Sequence, residues 1–390
     1  MVTRIYLAAI ISIGVAASAR AQTVMWTQEA VSGPSPRSEF GMAFDSGRGV
    51  AVLFGGTVAS NPSMSNGETW EWSGGAGGGG AGWTPRPVSG PSARYGHAMV
   101  FDSTHGVTVL FGGYGGGAYS GETWEWDGSA WVHKSPLGSP SPRSGHAMAF
   151  DSARTRVVLF GGQNVTDNNS YYGDTWEGTG AGWGNRGVGG PSPRVGHTMA
   201  YDPVRHVTVL FGGSRIINIE GQVLYGDTWE WNGTAWTQRA APGPSARTGA
   251  TMVYDAGRGV TVLFGGYAGA YVNDTWEWDG SAWTQRAVSG PPPRFEQGMV
   301  YDTAHTEPVL FGGRSNNFLG DTWVLGRACG SADFNGDGDI GTDADIEAFF
   351  ACLSGTCCPT CGSADFNGDG DVGTDADIES FFRVLAGGQC

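Results

Sequence analysis

Between residues 23 and 326 the chain repeats one pattern of hydrophobic and polar positions. In the second copy, short apolar runs stand at His97 to Phe101, Val107 to Phe111, Thr123 to Trp126, and Trp131 with Val132, each bounded by a turn signal. Alternation together with β-branched and aromatic content predicts that all four are strands. The first turn runs through Asp102-Ser103-Thr104-His105-Gly106, and Asp127-Gly128-Ser129-Ala130 is a hairpin signal between the third and fourth strands. Four-stranded units recurring with a period of about 50 residues predict sheets set radially around an axis.

Two blocks mark each copy. Phe-Gly-Gly begins at Phe54, Phe111, Phe160, Phe211, Phe264 and Phe311, and Thr-Trp ends at Trp70, Trp124, Trp176, Trp229, Trp276 and Trp323. The last copy lacks a fourth-strand tryptophan, because the chain passes directly from Trp323 to Arg327 and Cys329. An orphan segment, Met25-Trp26-Thr27-Gln28, precedes the first copy and matches Ala282-Trp283-Thr284-Gln285. The expectation is six sheets, the last built from both ends of the domain, which removes an open edge. With Pro-x-Pro-Arg-x-Gly-His before the first strand, these blocks resemble kelch repeats. The resemblance implies an all-β, six-bladed β-propeller over residues 22–327.

Each copy also carries one arginine (Arg37, Arg94, Arg143, Arg194, Arg247, Arg294) and one acid before Thr-Trp (Glu68, Glu122, Asp174, Asp227, Asp274, Asp321). Bidentate pairing suits such residues where water is scarce, so a ring of Arg–carboxylate pairs stitching the blades is expected.

Loops after Phe-Gly-Gly vary in length and composition, and varied loops on a fixed scaffold are where function concentrates. They carry Tyr114, Tyr119, Tyr171, Tyr172, Tyr225, Tyr267, Tyr271 and Phe318. Aromatic faces beside amides and carboxylates suit stacking against a ligand such as a sugar ring. Nearer the axis, the slot after Pro-Arg-x-Gly reads Phe40, His97, His146, His197, Ala250 and Gln297. The preceding slot is Glu39 in the first copy, Glu296 in the last, and glycine in the other four. Packing is the expected role of these residues. The alternative is a catalytic or metal-binding mouth with Glu39 and Glu296 as acid and base beside the three imidazoles. The propeller is similar as well to the central domain of galactose-oxidase-like copper enzymes, whose chemistry requires a cysteine cross-linked to a tyrosine. No cysteine lies before Cys329, so that chemistry is not carried over.

Charge and cysteine divide the chain in two. Formal net charge is −15, and residues 328–390 hold 12 Asp or Glu against one basic residue, Arg383. All six cysteines lie there too. That asymmetry marks two domains with different physics and disfavours nucleic acid as a partner. Residues 1–21 read as an export signal: Arg4, an apolar run from Ile5 to Ala17, and Ala19-Arg20-Ala21 as cleavage site. The mature protein is expected to start at Gln22 and to be secreted or held at the cell surface, with no segment apolar enough to span a membrane.

Residues 333–353 recur at 365–385, offset by 32. Each copy opens Asp-Phe-Asn-Gly-Asp-Gly-Asp, which places oxygen donors at loop positions one, three, five and seven with glycine at six, the pattern of a Ca²⁺ loop. The expected ligands are Asp333, Asn335, Asp337 and Asp339, and likewise Asp365, Asn367, Asp369 and Asp371. Position twelve is alanine, so Asp345 and Asp377, one residue later, are taken as closing ligands. Each loop leads into an amphipathic helix with Ile346, Phe349, Phe350 and Leu353 expected inward in the first copy. Paired Ca²⁺ loops each followed by one helix look like a dockerin, which implies a cohesin-like partner for residues 328–390. Cysteine positions suggest 329–352 and 361–390 as bridges in this small domain. The combined expectation is an exported, non-catalytic protein that binds glycan or protein on its loop face and docks through a tail holding two Ca²⁺. A carbohydrate-active hydrolase or lyase is the second reading.

Overall fold

The computed structural model describes residues 24–58, 65–74, 82–167, 171–179, 182–216, 221–327, 334, 342–354, 366 and 373–385. Its β-structure is six four-stranded antiparallel sheets with two small hairpins, and its helices, among the described residues, are two. The chain forms a six-bladed propeller. Blade two is typical: Ala98–Asp102, Val107–Phe111, Thr123–Trp126 and Trp131–Lys134 pair in sequence order from the axis outward.

Second strands are almost wholly apolar because both faces are covered by neighbouring blades. Val52 and Leu53 are 0% exposed, as are the equivalent Val309 and Leu310 of blade six. The core accordingly sits between blades. Val52 and Phe54 of blade one pack with Met99, Leu110, Trp126 and Trp131 of blade two, and comparable clusters fill the other five interfaces. Fourth-strand tryptophans lock each interface: Trp131 Nε1 donates to Thr69 Oγ1 of the preceding blade at 2.9 Å, and Trp83, Trp183, Trp236 and Trp283 repeat the contact. A buried indole adds large apolar area, and its one polar atom must find a partner.

Blade six consists of Gly298–Asp302, Glu307–Phe311 and Thr322–Arg327, with Val24–Glu29 as its outermost strand. Trp26 lies opposite Leu325 in that pairing, and its Nε1 donates to Thr275 Oγ1 of blade five at 3.0 Å.

All six repeat arginines pair with their acids, at 2.5–2.8 Å, and none is more than 1% exposed. Each pair lies inside one blade rather than across two. The bond between blades runs through the arginine's own carbonyl: Gly56 N–H of blade one donates to Arg94 O at 2.9 Å, and Gly313 of blade six to Arg37 O at 2.8 Å. The guanidinium thereby anchors a linker whose backbone holds the previous blade.

Beyond the propeller, α1 (Asp343–Leu353) and α2 (Asp375–Leu385) pack through Phe349 and Phe381, whose rings stack at 3.9 Å. Phe334 and Phe366, equivalent positions of the duplicate, complete the cluster. Phe350 departs from the expected inward set and is 43% exposed, while Cys352 takes the buried position at 4%. Residues 349 and 352 share a helical face; residue 350 is a third of a turn away. The export segment, Asp333, Asn335, Asp337, Asp339, Asp365, Asn367, Asp369, Asp371 and every cysteine except Cys352 lie outside the described residues.

Candidate functional site

Around the axis, the slot after Pro-Arg-x closes a circle of backbone hydrogen bonds. Gly96 N–H donates to Glu39 O (2.9 Å), Gly145 to Gly96 (2.8 Å), Gly196 to Gly145 (3.0 Å), Gly249 to Gly196 (2.8 Å), Glu296 to Gly249 (2.7 Å), and Glu39 to Glu296 (3.1 Å). All six residues are left-handed, with φ between 56° and 68°. Glycine adopts that region freely, whereas an L side chain there costs about 1–2 kcal/mol. Glu39 and Glu296 therefore stand as strained neighbours where the repeat otherwise places glycine.

Above the circle opens a cavity of about 1120 Å³, formed by the loops after second strands and the links into first strands. Of the loop aromatics singled out from sequence, Tyr114, Tyr119, Tyr171, Tyr267 and Tyr271 line it. Tyr114 and Tyr119 meet edge to face at 4.9 Å across a short hairpin, and Tyr271 stacks on Phe295 at 5.2 Å. Tyr172, Tyr225 and Phe318 do not line it. Arg143 lies over the Tyr172 ring and Arg194 over the Tyr225 ring, each at 4.1 Å, so these tyrosines cover buried guanidinium groups of the scaffold. Phe318 bridges by backbone to Arg314 at the base of its loop. Tyr95 and Phe295 also line the cavity, from the linker position immediately before the circle. That position reads Ser38, Tyr95, Ser144, Val195, Thr248 and Phe295, and its two aromatic departures were the available signal.

Among the described residues lining the cavity, Glu39 and Glu296 supply the carboxyl groups. Burial, reinforced by the neighbouring Glu296, pushes the Glu39 carboxyl up to about 8, against the opposing pull of Arg314. Glu296 is raised as well by burial, although Arg314 Nε donates to its Oε2 at 2.8 Å. The same guanidinium lies 4.7 Å over the Phe295 ring. Arg314 thus neutralises one carboxylate of the two.

The histidines face a different environment. His97 and His197 place Nε2 3.1 Å from the carbonyls of Phe54 and Phe160 in the preceding blades, and His146 meets the Phe111 ring edge to face at 5.5 Å. Gln297 Nε2 donates to Phe264 O at 2.9 Å in the equivalent place. Burial drives His97 and His197 down to about 3 and His146 well below its usual range, which keeps all three neutral. Among the described residues no three His, Cys, Asp or Glu gather as a metal-binding group. Phe40, His97, His197 and Gln297 also line a second cavity of about 480 Å³ within the channel, so they form the neck between the two.

In the tail, Asp345 and Asp377 are the described members of the expected Ca²⁺ ligand sets, and both are 0% exposed. Asp345 Oδ2 accepts from Thr342 N and Oγ1 at 2.9 and 3.0 Å, and Asp377 Oδ2 from Thr374 N and Oγ1 at 2.8 and 3.0 Å. Asp377 Oδ1 accepts from Phe366 N at 2.8 Å, which ties the end of the second loop to the residue beside Asp365.

No curated protein sequence matches the chain. The KLHDC2/KLHL20/DRC7 Kelch-repeats domain family matches residues 182–328, from the fourth strand of blade three to the end of blade six. The match covers less than half of the chain, and the blades outside it carry the same Phe-Gly-Gly, Thr-Trp and buried-arginine positions, so the six-bladed propeller is similar to kelch-repeat domains.

Proposed function

We propose that this protein is an exported, non-catalytic binding protein that takes a segment of a partner protein, or a glycan, into the loop-face cavity. A kelch propeller fits a protein-interaction role, and one observation carries the reading to this face. The cavity is lined by Tyr95, Tyr114, Tyr119, Tyr171, Tyr267, Tyr271 and Phe295, seven aromatic residues supplied by blades two, three and five and by the linkers into blades two and six. Rigid aromatic rings around a concave site supply contact area at small entropic cost. Tyr114→Ala and Tyr271→Ala in the full chain, screened against peptide-display and glycan arrays, should each weaken captured ligands at least tenfold. Ligands indifferent to both changes would place binding elsewhere.

On the same reading residues 328–390 form a dockerin-like module that carries the propeller to a scaffold or surface partner. Asp345 and Asp377 suit a hard cation by donor type, and each lies just after its loop; with Asp333, Asn335, Asp337, Asp339 and Asp365, Asn367, Asp369, Asp371 they would hold two Ca²⁺. Calcium added to chelator-stripped full chain should raise helical circular dichroism and protect the tail from proteolysis. An unchanged spectrum and cleavage pattern would reject the calcium proposal. N-terminal sequencing of material from the medium should begin at Gln22.

The second reading, a carbohydrate-active enzyme, is favoured by one observation: adjacent carboxylates of which Glu39 holds its proton at neutral pH. Any glycan turnover abolished by Glu39→Gln or Glu296→Gln would establish it over the binding reading.

A further inference from the structure

The floor of the cavity is chemically one-sided. Arg314 pairs with Glu296 and leaves Glu39 as the carboxylate without a cation of its own. Next to it, Gln297 is 7% exposed and turns its Nε2 to Phe264 O, and its Oε1 finds no partner. His197, 5% exposed, faces Phe160 O with Nε2, which makes that nitrogen the protonated one and leaves Nδ1 a bare acceptor. His97 differs, because Gly41 N–H donates to its Nε2 at 3.1 Å beside the Phe54 carbonyl. Buried acceptors without donors are costly and point to a missing donor. Gln297 Oε1 and His197 Nδ1 are thus unmet acceptors at the neck, set under aromatic rings.

Ammonium and guanidinium groups supply N–H donors and no acceptor, pair with Glu39 by displacing the proton it otherwise holds, and pack against aromatic faces. A hydroxyl-rich ligand brings donors and acceptors in equal measure and offers no charge to stabilise the ionised form of Glu39. From the unpaired carboxyl of Glu39, the orphaned acceptors of Gln297 and His197, and the aromatic wall, we infer that the cavity floor recognises a lysine or arginine side chain of an extended peptide segment. This rests on the peptide-binding form of the proposed function and gives it a chemical specificity. Glu39 also stands where four other copies carry glycine, so its side chain is retained at the expense of backbone strain.

Random nonapeptides displayed against the full chain supply the probes, and fluorescence polarisation measures selected peptides and their Lys/Arg→Gln versions. Selected sequences should share one basic position, whose replacement by Gln weakens binding to the wild type at least tenfold and to Glu39→Gln less than threefold. Glu39→Gly should lose the same selectivity while unfolding at a higher temperature than the wild type, a pairing that mere misfolding cannot produce. Peptides weakened by Tyr114→Ala but lacking a basic position, or bearing an acidic one, would overturn the cation inference and leave peptide binding standing. If no captured peptide responds to Tyr114→Ala, the proposed function fails and this inference with it.

Discussion

Trp26→Ala tests how much of the propeller depends on the strand donated from its other end. The Trp26 side chain is 5% exposed, meets Phe264 edge to face at 5.2 Å and donates to Thr275 Oγ1 at 3.0 Å. It also covers Gly290, where a Cβ would lie 2.4 Å from Cδ1. Truncating a buried tryptophan costs about 3–5 kcal/mol, and leaving the hydroxyl of the buried Thr275 without its donor adds about 1 kcal/mol. Trp283→Ala is the matched control, because Trp283 makes the same contacts with Phe211 at 5.3 Å and Thr228 at 2.9 Å. The two sites differ in connectivity. Trp283 lies one hairpin from its sheet partner Trp278, whereas Val24–Glu29 joins Thr322–Arg327 by noncovalent pairing alone. Urea unfolding should show losses of about 4–6 kcal/mol for both variants. Amide exchange should separate them: Trp323, Val324 and Leu325 should lose protection in Trp26→Ala well before global unfolding, with no such early opening of Trp276 to Trp278 in Trp283→Ala. A Trp26→Ala protein within about 1 kcal/mol of wild type, or equal exchange in the two, would refute the reasoning.

Asp174→Ala should cost about 2–4 kcal/mol, because Arg143 is 0% exposed and would keep an uncompensated charge, although the partly exposed Asp174 admits some screening. Arg143→Met combined with Asp174→Ala should recover part of that loss, while Glu379→Ala, at a pair whose acid is 72% exposed, should change stability by less than about 0.5 kcal/mol. Stability should also fall on both sides of mildly acidic pH. His97 and His197, held near 3 by burial, bind protons only after unfolding as pH drops below about 6.5, which favours the unfolded chain. Glu39, raised to about 8, and Glu307, raised to about 7, hold their protons better when folded, so stability declines as pH climbs from the ordinary carboxylate range through those values. Urea midpoints from pH 4 to 9 should show both limbs, and Glu39→Gln with Glu307→Gln should flatten the alkaline one. An alkaline limb unchanged in that double variant would contradict the assignment.

The scaffold was legible in the sequence wherever one physical demand recurs in every blade. An arginine that must be buried beside a carboxylate, or an indole that must reach a threonine in the preceding blade, appears in the same register six times or nearly so, and repetition separates it from chance. The same logic explains the aromatic residues that did not reach the cavity. Tyr172 and Tyr225 each stand two residues before the acid of Asp-Thr-Trp, in register with the repeat, and both cover a buried guanidinium. Tyr171, adjacent to one of them but out of register, lines the cavity and stacks under Arg215 at 5.7 Å. Tyr95, Phe295 and Arg314 were harder to read because each is a single departure, and one chain supplies no second instance to compare. Phe350 was misplaced for another reason, since adjacent phenylalanines on a helix cannot both face a core only two helices wide. Glu39 and Glu296 show where the two kinds of evidence meet. Their positions follow from the repeat, their left-handed backbone is what glycine in the other four copies announces, and their side chains are what the repeat does not require. Left-handed Thr155, His206 and Thr306 show that strain alone does not mark a site; what sets Glu39 and Glu296 apart is that they are neighbours on the floor of the cavity, which supports the proposed binding role.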